Sequence, residues 1–489
     1  SKNGVLLADI DGNGYANDLF IAAYAADIFA TDTGAVYLIK DIDKKSGDIS
    51  LAAGFDARWS GGAISDTLPY TNSSEQGLHL VDVDGNGIAN DLLLVSVNAD
   101  ANSGSNNGAV YLIKDVNSYS GSNILNSTSS YSARWFGASA SDFLGSTVGS
   151  GSGAQLVNLD GNIVANDLIL HSALASVDQT EDGVLYVIYD INTLSGDYNL
   201  AHSTSYSLRV HGGLAGDNLG STRFSGPGVQ LINSDNNTFA NDLLLVASPA
   251  DTFASNTGAA YVIRDITRFS SLGNSLDLNS ASSFDLRFSY PDSDSNIGAT
   301  RNSGSGAFVL DIDGNGYTND LFLSAPAANT LSRTDNGAAF LIKDIDKKSG
   351  IKDLSSSPDF SVVFHGSATG WDFGDSVVSG PGLSFWNTDL DNTANDLLIN
   401  GAGSTPFGSS GAVYAIQDVH LLSGSIDLNV AANVSLALYG STTGYFLGAN
   451  PNAGTAVNWV DLDGGGVRND LTIGSGFKNR ATGNSAAVM

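Results

Sequence analysis

Residues 9–20 read DIDGNGYANDLF, and this stretch decides the fold because it returns along the chain. It recurs as DVDGNGIANDLL from Asp82 and as DIDGNGYTNDLF from Asp311. Weaker copies, each with the Asn-Asp pair near its end, begin at Asn158, Asn233, Asn387 and Asp461. Successive starts are 73 to 78 residues apart. A fixed period of this kind is typical of repeat proteins, so the chain is predicted to hold seven copies of one supersecondary unit.

Each unit reads as four short strands separated by Gly, Asn and Ser. The first runs into the Asp-rich turn and the second starts at the Asn-Asp pair. The third opens with glycine, as in GAVYLIKD from Gly34 and Gly108, and the fourth carries Arg58 or Arg134 between apolar residues. We therefore predict an all-β, seven-bladed β-propeller of four-stranded antiparallel blades, with almost no helix. Residues 1–489 form one domain in this prediction, with units starting near residues 4, 77, 153, 228, 306, 382 and 456. A β-solenoid is the less favoured alternative, because its coils are usually shorter than this repeat.

Composition limits the classes of partner. The chain has 489 residues, 51 acidic against 21 basic, and a net charge of −30. Such a field disfavours nucleic acid and anionic membranes and favours the binding of cations. No apolar run approaches the length of a membrane-spanning helix. The absence of cysteine excludes disulfides, so another device is expected to fix the long loops.

The Asp-rich turn has the spacing of a calcium loop. In residues 9–18, oxygen-bearing side chains occupy positions 1, 3 and 5, glycine occupies position 6, and position 7 offers a backbone carbonyl. Hard oxygen donors without nitrogen or sulfur favour Ca²⁺ over transition metals, and Mg²⁺ resists full dehydration. The structural alternative is a set of Asx-turns, in which Asp and Asn bind their own backbone. Because the pattern is repeated, we favour calcium and expect about five to seven structural ions.

The predicted ligands follow from this alignment, and either member of each Asn-Asp pair can close the site. Asn at the first position weakens repeats 3, 4 and 6, and Gly465 weakens repeat 7. The predicted metal ligands are Asp9, Asp11, Asn13, Tyr15, Asn17 and Asp18; Asp82, Asp84, Asn86, Ile88, Asn90 and Asp91; Asn158, Asp160, Asn162 and Asp167; Asn233, Asp235, Asn237 and Asp242; Asp311, Asp313, Asn315, Tyr317, Asn319 and Asp320; Asn387, Asp389, Asp391 and Asp396; and Asp461, Asp463 and Asp470.

Two further elements accompany the turn. A small-small-Pro element occurs at residues 247–249 and 324–326, and elements like Phe-Gly occur at residues 143–145 and 371–374. With the Asp-rich turn, they resemble the FG-GAP repeat of integrin α-subunit propellers and their bacterial relatives over essentially the whole chain. The resemblance implies loops that bind Ca²⁺ for rigidity, on the face opposite the ligand. The chain departs from that family by one extra residue before Asp-Leu-Leu and by longer units.

No constellation typical of an enzyme is evident, because the six histidines are spread over four repeats, mostly at non-equivalent positions, and no nucleophile motif occurs. The sequence therefore predicts a non-enzymatic extracellular or cell-surface module for binding, adhesion or surface assembly. Its partner is a protein, a glycan or a neighbouring subunit. A polysaccharide lyase or other carbohydrate-active enzyme on the same scaffold is the alternative. The residues predicted to contact a ligand, on the face opposite the calcium loops, are Tyr70, Phe253, Trp371, Phe407, Tyr445 and Phe446.

The seventh unit raises a question of closure. Residues 486–489 align with a third strand, so this unit is expected to lack its own fourth strand. Sequence beyond these termini, an adjacent subunit or a three-stranded blade can each complete it.

Overall fold

The strands of the protein lie where the repeats predict them. A computed structural model describes residues 4–70, 77–101, 104–147, 153–162, 164–222, 227–237, 239–252, 254–300, 304–371, 373–374, 382–389, 391, 393–401, 410–440, 447–448, 457–462, 468 and 470–474. The first strands are β1 (Val5–Ala8), β2 (Asp18–Ala23), β3 (Ala35–Ile39), β4 (Ala57–Ser60), β5 (Leu78–Val81), β6 (Asp91–Ser96), β7 (Ala109–Ile113), β8 (Gly121–Ile124), β9 (Ala133–Phe136), β10 (Ala154–Val157), β11 (Asp167–Ser172), β12 (Val184–Ile188), β13 (Gly196–Asn199) and β14 (Leu208–His211). The remaining strands are β15 (Val229–Ile232), β16 (Asp242–Ala247), β17 (Ala259–Ile263), β18 (Asn274–Asp277), β19 (Leu286–Ser289), β20 (Ala307–Leu310), β21 (Asp320–Ala325), β22 (Ala338–Ile342), β23 (Gly350–Asp353), β24 (Val362–His365), β25 (Leu383–Trp386), β26 (Asp396–Gly401), β27 (Ala412–Ile416), β28 (Gly424–Asp427), β29 (Leu436–Tyr439), β30 (Val457–Val460) and β31 (Asp470–Ile473).

Helix is confined to single 3₁₀ turns in the described part of the chain, as predicted. These turns are Ile42–Lys44, Val116–Ser118, Ile191–Thr193, Ser203–Ser205, Ile266–Phe269, Ile345–Lys347, Val419–Leu421 and Ala431–Asn433.

The strands form repeated sheets. Sheets 1 to 5 have the orders β1-β2-β3-β4-β8, β5-β6-β7-β9-β13, β10-β11-β12-β14-β18, β15-β16-β17-β19-β23 and β20-β21-β22-β24-β28. Sheet 6 has the order β25-β26-β27-β29, and β30 pairs with β31. The chain divides into two compact units, Ser1–Gly220 with Asp265–Ser280, and Ser221–Arg264 with Ala281–Met489. Sheets 1 to 3 belong to the first unit and the others to the second.

Each repeat supplies one antiparallel meander whose register is fixed at the Asp-rich turn. The last residue of the first strand pairs with the Asp that opens the second, as in Ala8 with Asp18 and Val81 with Asp91. The same pairing holds between the first and second strands of the other five repeats, although only these two strands of repeat 7 lie in the described part of the chain. Most second and third strands are buried at every residue, because both faces of the sheet are covered.

The glycine that opens each third strand is required by close packing. Gly34 has φ +70, and a Cβ there would lie 2.1 Å from the carbonyl oxygen of Leu68. Gly108 has φ +75, and a Cβ there would lie 2.3 Å from the backbone nitrogen of Leu144. Only glycine accepts both the left-handed backbone and this approach.

The prediction of four strands per repeat was incomplete. In sheets 1 to 5 a fifth strand from the following repeat pairs in parallel with the fourth, beginning with Ala57 opposite Gly121. The other parallel pairs are β9 with β13, β14 with β18, β19 with β23 and β24 with β28. These fifth strands are short and polar, and four of the five start with glycine, so they lack the apolar alternation by which strands are recognised.

The core lies between successive sheets within each unit. One cluster joins Phe20 and Trp59 of sheet 1 to Leu92 and Tyr111 of sheet 2. Another, in the second unit, joins sheet 5 to sheet 6 through Phe322, Phe364, Ile399 and Tyr414. The Asp-rich loops leave the ends of the first strands, and each of these two clusters includes one loop residue, Ile10 in the first and Ile312 in the second.

Candidate metal centre

The loop between β1 and β2 is closed by its own side chains. The Asp9 carboxylate accepts hydrogen bonds from the backbone N–H of Asn13 (3.0 Å) and Gly14 (2.7 Å). Asp11 accepts from the Asn13 N–H at 3.1 Å, and Asn13 Oδ1 accepts from the Tyr15 N–H at 2.8 Å. These bonds match the Asx-turn alternative and leave room for a metal, because each carboxylate has about four lone-pair sites.

Asp18 joins this loop to a second turn. Its buried carboxylate accepts the Ile10 N–H at 3.1 Å through one oxygen and the Asp41 N–H at 3.0 Å through the other. Asp41 has φ 52 and precedes the 3₁₀ turn Ile42–Lys44. Left-handed backbone is tolerated better by Asp than by most residues, which fits the Asp found at the equivalent position in repeats 1 to 6.

Three carboxylates converge in this loop. Carboxylate oxygens of Asp9, Asp11 and Asp18 all lie within 4.8 Å of one another. The same arrangement occurs in the other two repeats with intact motifs, at Asp82, Asp84 and Asp91 and at Asp311, Asp313 and Asp320. In these three repeats, the Asp of the Asn-Asp pair contributes a carboxylate to the cluster.

The Asn of the pair donates hydrogen bonds to the second turn through its amide nitrogen. Its amide oxygen shows whether a cation would suit the loop. Asn17 Nδ2 donates to Asp43 Oδ1 at 2.8 Å and to Asp41 Oδ1 at 3.3 Å. Its Oδ1 is buried and has no hydrogen-bond partner among the described residues. Asn90 and Asn319 leave the same atom unpaired in repeats 2 and 5. Buried amide oxygens are rarely left unpaired, so an oxygen-seeking cation suits these loops.

The pKa shifts of the loop aspartates bear on cation binding. Burial raises the pKa of Asp91 and Asp320 above the ordinary aspartate value, although backbone N–H groups that donate to them oppose the shift. At Asp9, desolvation raises the pKa, but the N–H groups of Gly14 and Asn13 outweigh it and leave that pKa below its usual value. A divalent cation bound in each loop would favour the ionised form of these aspartates, Asp9, Asp91 and Asp320.

In repeats 3 and 4, the amide oxygen of the Asn-Asp pair accepts a hydrogen bond from a side-chain amide of the same loop. The equivalent oxygen is unpaired in repeats 1, 2 and 5. Asn162 Nδ2 donates to Asn166 Oδ1 at 3.1 Å, and Asn237 Nδ2 donates to Asn241 Oδ1 at 3.0 Å. In repeat 3 the acidic cluster consists of Asp160, Asp167 and Asp190. Internal amide donors therefore satisfy part of these loops, and weaker metal binding in repeats 3 and 4 stays a prediction.

The last two repeats differ again. In repeat 6, Asp391, Asp418 and His420 form the cluster, and Asn395 Nδ2 lies 2.7 Å from Asp391 Oδ2 and 3.0 Å from His420 Nδ1. His420 occupies the position of Asp43 in repeat 1. In repeat 7, the Leu462 N–H donates to Asp470 at 2.7 Å, while Asp463 and Gly465 lie outside the described residues.

The second turn is the part of the site that sequence reasoning missed. In repeats 1 and 5 this second turn lies in the matching segments KDIDKKSG, from Lys40 and Lys343. Asp43 and Asp346 each accept a hydrogen bond of 2.8 Å from the Asn of the metal loop. The near identity of the two segments was the signal that could have identified them.

Of the six aromatic residues predicted to contact a ligand, two lie in the described part of the chain, Tyr70 and Trp371. Tyr70 is half-buried and stacks on Tyr24, with ring centroids 5.7 Å apart and planes 23° apart. Tyr24 is 57% exposed, and the sequence analysis did not select it. Phe253, Phe407, Tyr445 and Phe446 lie outside the described residues.

The expected exposure of Trp371 was wrong. Its side chain is fully buried and lies against Phe373 and Tyr414, with centroids 5.3 Å from each. Gly366 and Gly401 make room for the indole, since a Cβ on either would lie within 2.6 Å of its ring. Trp371 is therefore part of the core of sheets 5 and 6.

The histidines are mainly structural. His171 is buried with Nε2 2.6 Å from the Leu219 carbonyl oxygen, and burial lowers its pKa to about 4. His211 and His365 occupy the same position, at the ends of β14 and β24, and both are buried.

Neither the protein-family models nor the curated proteins compared with this chain gave a match. Within the described residues, no helix has the length and hydrophobicity needed to span a membrane.

Proposed function

We propose that this chain is a seven-bladed β-propeller of the FG-GAP type whose Asp-rich loops bind structural calcium. The three-carboxylate cluster, present at the same loop of repeats 1, 2 and 5 beside a buried unpaired amide oxygen, is the observation that carries this proposal. Six meanders and one two-stranded sheet, all with the same register between first and second strands, support the blade number. In this proposal, residues 1–489 form a single ring.

Calcium suits these loops better than other ions. The described donors in repeats 1, 2 and 5 are carboxylate and amide oxygens, and several lie at exposed positions where a flexible coordination shell can form. Magnesium prefers to retain water, and zinc prefers nitrogen and sulfur. Repeats 3, 4, 6 and 7 are proposed to bind calcium more weakly, giving five to seven ions in all.

A calcium titration of metal-free protein tests this. Isothermal titration should resolve three sites that bind calcium more strongly than the others, and the variant Asp11→Asn/Asp84→Asn/Asp313→Asn should lose them while it remains folded, because all three side chains are exposed. The single variants Asp11→Asn and Asp48→Asn form a matched pair. Asp48 is also exposed but lies outside the clusters, so Asp48→Asn should leave the isotherm unchanged. An unchanged isotherm in the triple variant would refute the assignment.

The calcium-stabilised scaffold is further proposed to act as an extracellular or cell-surface module for binding, adhesion or surface assembly, with a protein or glycan partner. Extracellular calcium modules work at dissociation constants of about 10⁻⁴ to 10⁻³ M, which partly exposed loops suit. The Tyr24–Tyr70 stack is a candidate contact, because exposed aromatic faces supply contact area at low entropic cost.

An array of glycans and extracellular proteins, probed with wild type and Tyr24→Ala/Tyr70→Ala, tests this second part. The wild type should bind a defined partner, and the double variant should bind it at least tenfold more weakly. A depolymerisation assay on the same polysaccharides provides the opposing outcome, since turnover would replace the binding proposal with an enzymatic one.

A further inference from the structure

Repeat 6 differs from repeats 1 to 5 at two positions of the metal site. At position 5 of the Asp-rich loop it has Asp391, and two residues after the left-handed Asp of the second turn it has His420. The equivalent residues are Asn13, Asn86, Asn162, Asn237 and Asn315 in the loop, and Asp43, Asn117, Asn192, Thr267 and Asp346 in the turn. The loop of repeat 6 therefore gains a carboxylate, and its second turn gains an imidazole.

The two side chains meet at one asparagine. Asn395 is 1% exposed, and its Nδ2 lies 2.7 Å from Asp391 Oδ2 and 3.0 Å from His420 Nδ1. Because an amide nitrogen can only donate, Nδ1 is the acceptor and its lone pair faces the amide. Asp418 Oδ1 lies 3.6 Å from the same Nδ1. One donor atom from each of Asp391, Asp418 and His420 is within 4.8 Å of the others, so all three are within reach of one metal ion.

Asp396, the Asp of the Asn-Asp pair, is absent from this cluster. Its Oδ1 accepts the Asp418 N–H at 2.9 Å, and its Oδ2 accepts the N–H and the hydroxyl of Thr388 at 2.6 and 2.5 Å. The residues equivalent to Thr388 in repeats 1, 2 and 5 have no hydroxyl, and they are Ile10, Val83 and Ile312. Three donors engage the Asp396 carboxylate, so the cluster of repeat 6 forms on the second turn instead.

The amide of Asn395 supplies an observation that is independent of the acidic residues. Its Oδ1 is buried and has no hydrogen-bond partner among the described residues, which is rare for a buried amide oxygen. A half-turn of the amide would exchange its nitrogen for this oxygen, between Asp391 and His420. There the oxygen would meet a carboxylate and the lone pair of Nδ1, so this arrangement is favourable only with a cation among them.

We propose that repeat 6 binds Zn²⁺ through Asp391, Asp418 and His420. Asn395 Oδ1 is the fourth donor once its amide has turned, which gives the four ligands that zinc usually takes. Imidazole nitrogen combined with carboxylate oxygen suits zinc, whereas calcium takes oxygen ligands. The ion would replace the hydrogen bonds of Asn395 and connect the Asp-rich loop to the second turn.

This inference does not rest on calcium binding in repeats 1, 2 and 5, because none of their residues takes part. Weak calcium binding in the loop of repeat 6 would compete for Asp391, and the imidazole should make zinc the preferred ion there. Zinc binding is therefore measured both in calcium-free buffer and in excess calcium. Failure of the calcium proposal would appear in the calcium titration and would leave the zinc result unchanged.

Isothermal titration with Zn²⁺ tests the site. The variant His420→Asn is suited to this test, because repeats 2 and 3 carry asparagine at this position of the turn. Loss of an outer-shell partner typically costs about 10- to 100-fold in metal affinity, so loss of a ligand should raise the Kd for zinc at least about tenfold. His202→Asn is the matched control, because His202 is exposed and lies outside the acidic clusters. Equal melting temperatures in chelator confirm that both variants fold.

Imidazole NMR provides a second readout that separates a ligand from a structural residue. The chain has six histidines, so protein labelled with ¹⁵N-histidine gives few signals. Zn²⁺ should shift the Nδ1 signal that is missing from His420→Asn and leave that of His202 in place. Zinc affinity that is unchanged in His420→Asn, an unshifted His420 imidazole, or displacement of zinc by an equal concentration of calcium would overturn the proposal.

Discussion

At the scale of the residue, the two members of the Asn-Asp pair have different roles. The Asp connects the Asp-rich loop to the second turn, and the Asn donates hydrogen bonds to the second turn. Asp91 is fully buried, and its oxygens accept the N–H groups of Val83 and Asp115, both at 2.9 Å. Asn90 Nδ2 reaches Asp115 at 3.3 Å. The repeat of the pair predicted its importance, whereas the division of roles depends on a turn about 25 residues later that no local pattern could specify.

This division predicts different effects for two aspartates of one loop. In excess chelator, Asp91→Ala should lower the free energy of unfolding by about 2 to 4 kcal/mol, because two buried N–H groups lose their acceptor. Asp84→Asn should leave stability in chelator unchanged, because Asp84 is exposed, and should weaken calcium binding. Urea denaturation measures both variants. A neutral Asp91→Ala would refute its scaffold role.

Buried His171 predicts a pH dependence. Its pKa falls to about 4 in the folded state, so the unfolded chain binds the proton first as pH drops. The stability contributed by the neutral imidazole is complete above the unfolded pKa of about 6.5 and is lost as pH falls toward 4, by about 3 kcal/mol in total.

Asp142 titrates in the same range with the opposite sign, because burial raises its pKa to about 6. The readout is therefore the difference between wild type and His171→Gln, measured by urea denaturation from pH 7.5 to 4.5 in chelator. The stability of wild type should fall more steeply than that of His171→Gln. Parallel curves would show that His171 does not titrate as its burial requires.

At the scale of the element, the meander could be predicted from sequence and the fifth strand could not. The Asp-rich turn fixes where β1 ends and β2 begins, and glycine marks the start of β3. The fifth strand depends on a partner in the preceding repeat and on one buried leucine, as with Leu354, whose N–H donates to the Ser289 carbonyl at 2.9 Å. Trp371 was misjudged for a related reason, since the space for its ring comes from Gly401, which is distant in sequence.

A matched pair of leucine variants tests the fifth strand. Leu354→Ala should lower the free energy of unfolding by about 3 kcal/mol, because Leu354 is 1% exposed. Leu51→Ala changes the equivalent leucine of repeat 1, where residues 47–50 lie in no strand. It should cost under about 1 kcal/mol, because Leu51 already meets solvent. Both are measured by urea denaturation. Equal losses would contradict the view that the fifth strand is what buries this leucine.

At the scale of the whole molecule, charge and stability are linked through calcium. The chain carries a net charge of −30 and has no disulfide to fix its loops. A ligand that binds only the folded state adds about 2.7 kcal/mol per site at a free concentration one hundred times its Kd. Excess chelator should therefore lower Tm substantially, and magnesium at equal concentration should restore little of it. A melting curve that chelator leaves unchanged would refute a structural role for the metal.

The location of the ions is the most direct test of the central claim. Crystals grown with Tb³⁺, an oxygen-seeking substitute for Ca²⁺, would give an anomalous difference map that identifies each ion by position. We predict the strongest peaks within about 2.6 Å of the carboxylate oxygens of Asp9, Asp82 and Asp311 and their loop partners, with weaker or absent peaks in repeats 3 and 4. A map without peaks at these three loops, from protein saturated with the ion, would contradict the account.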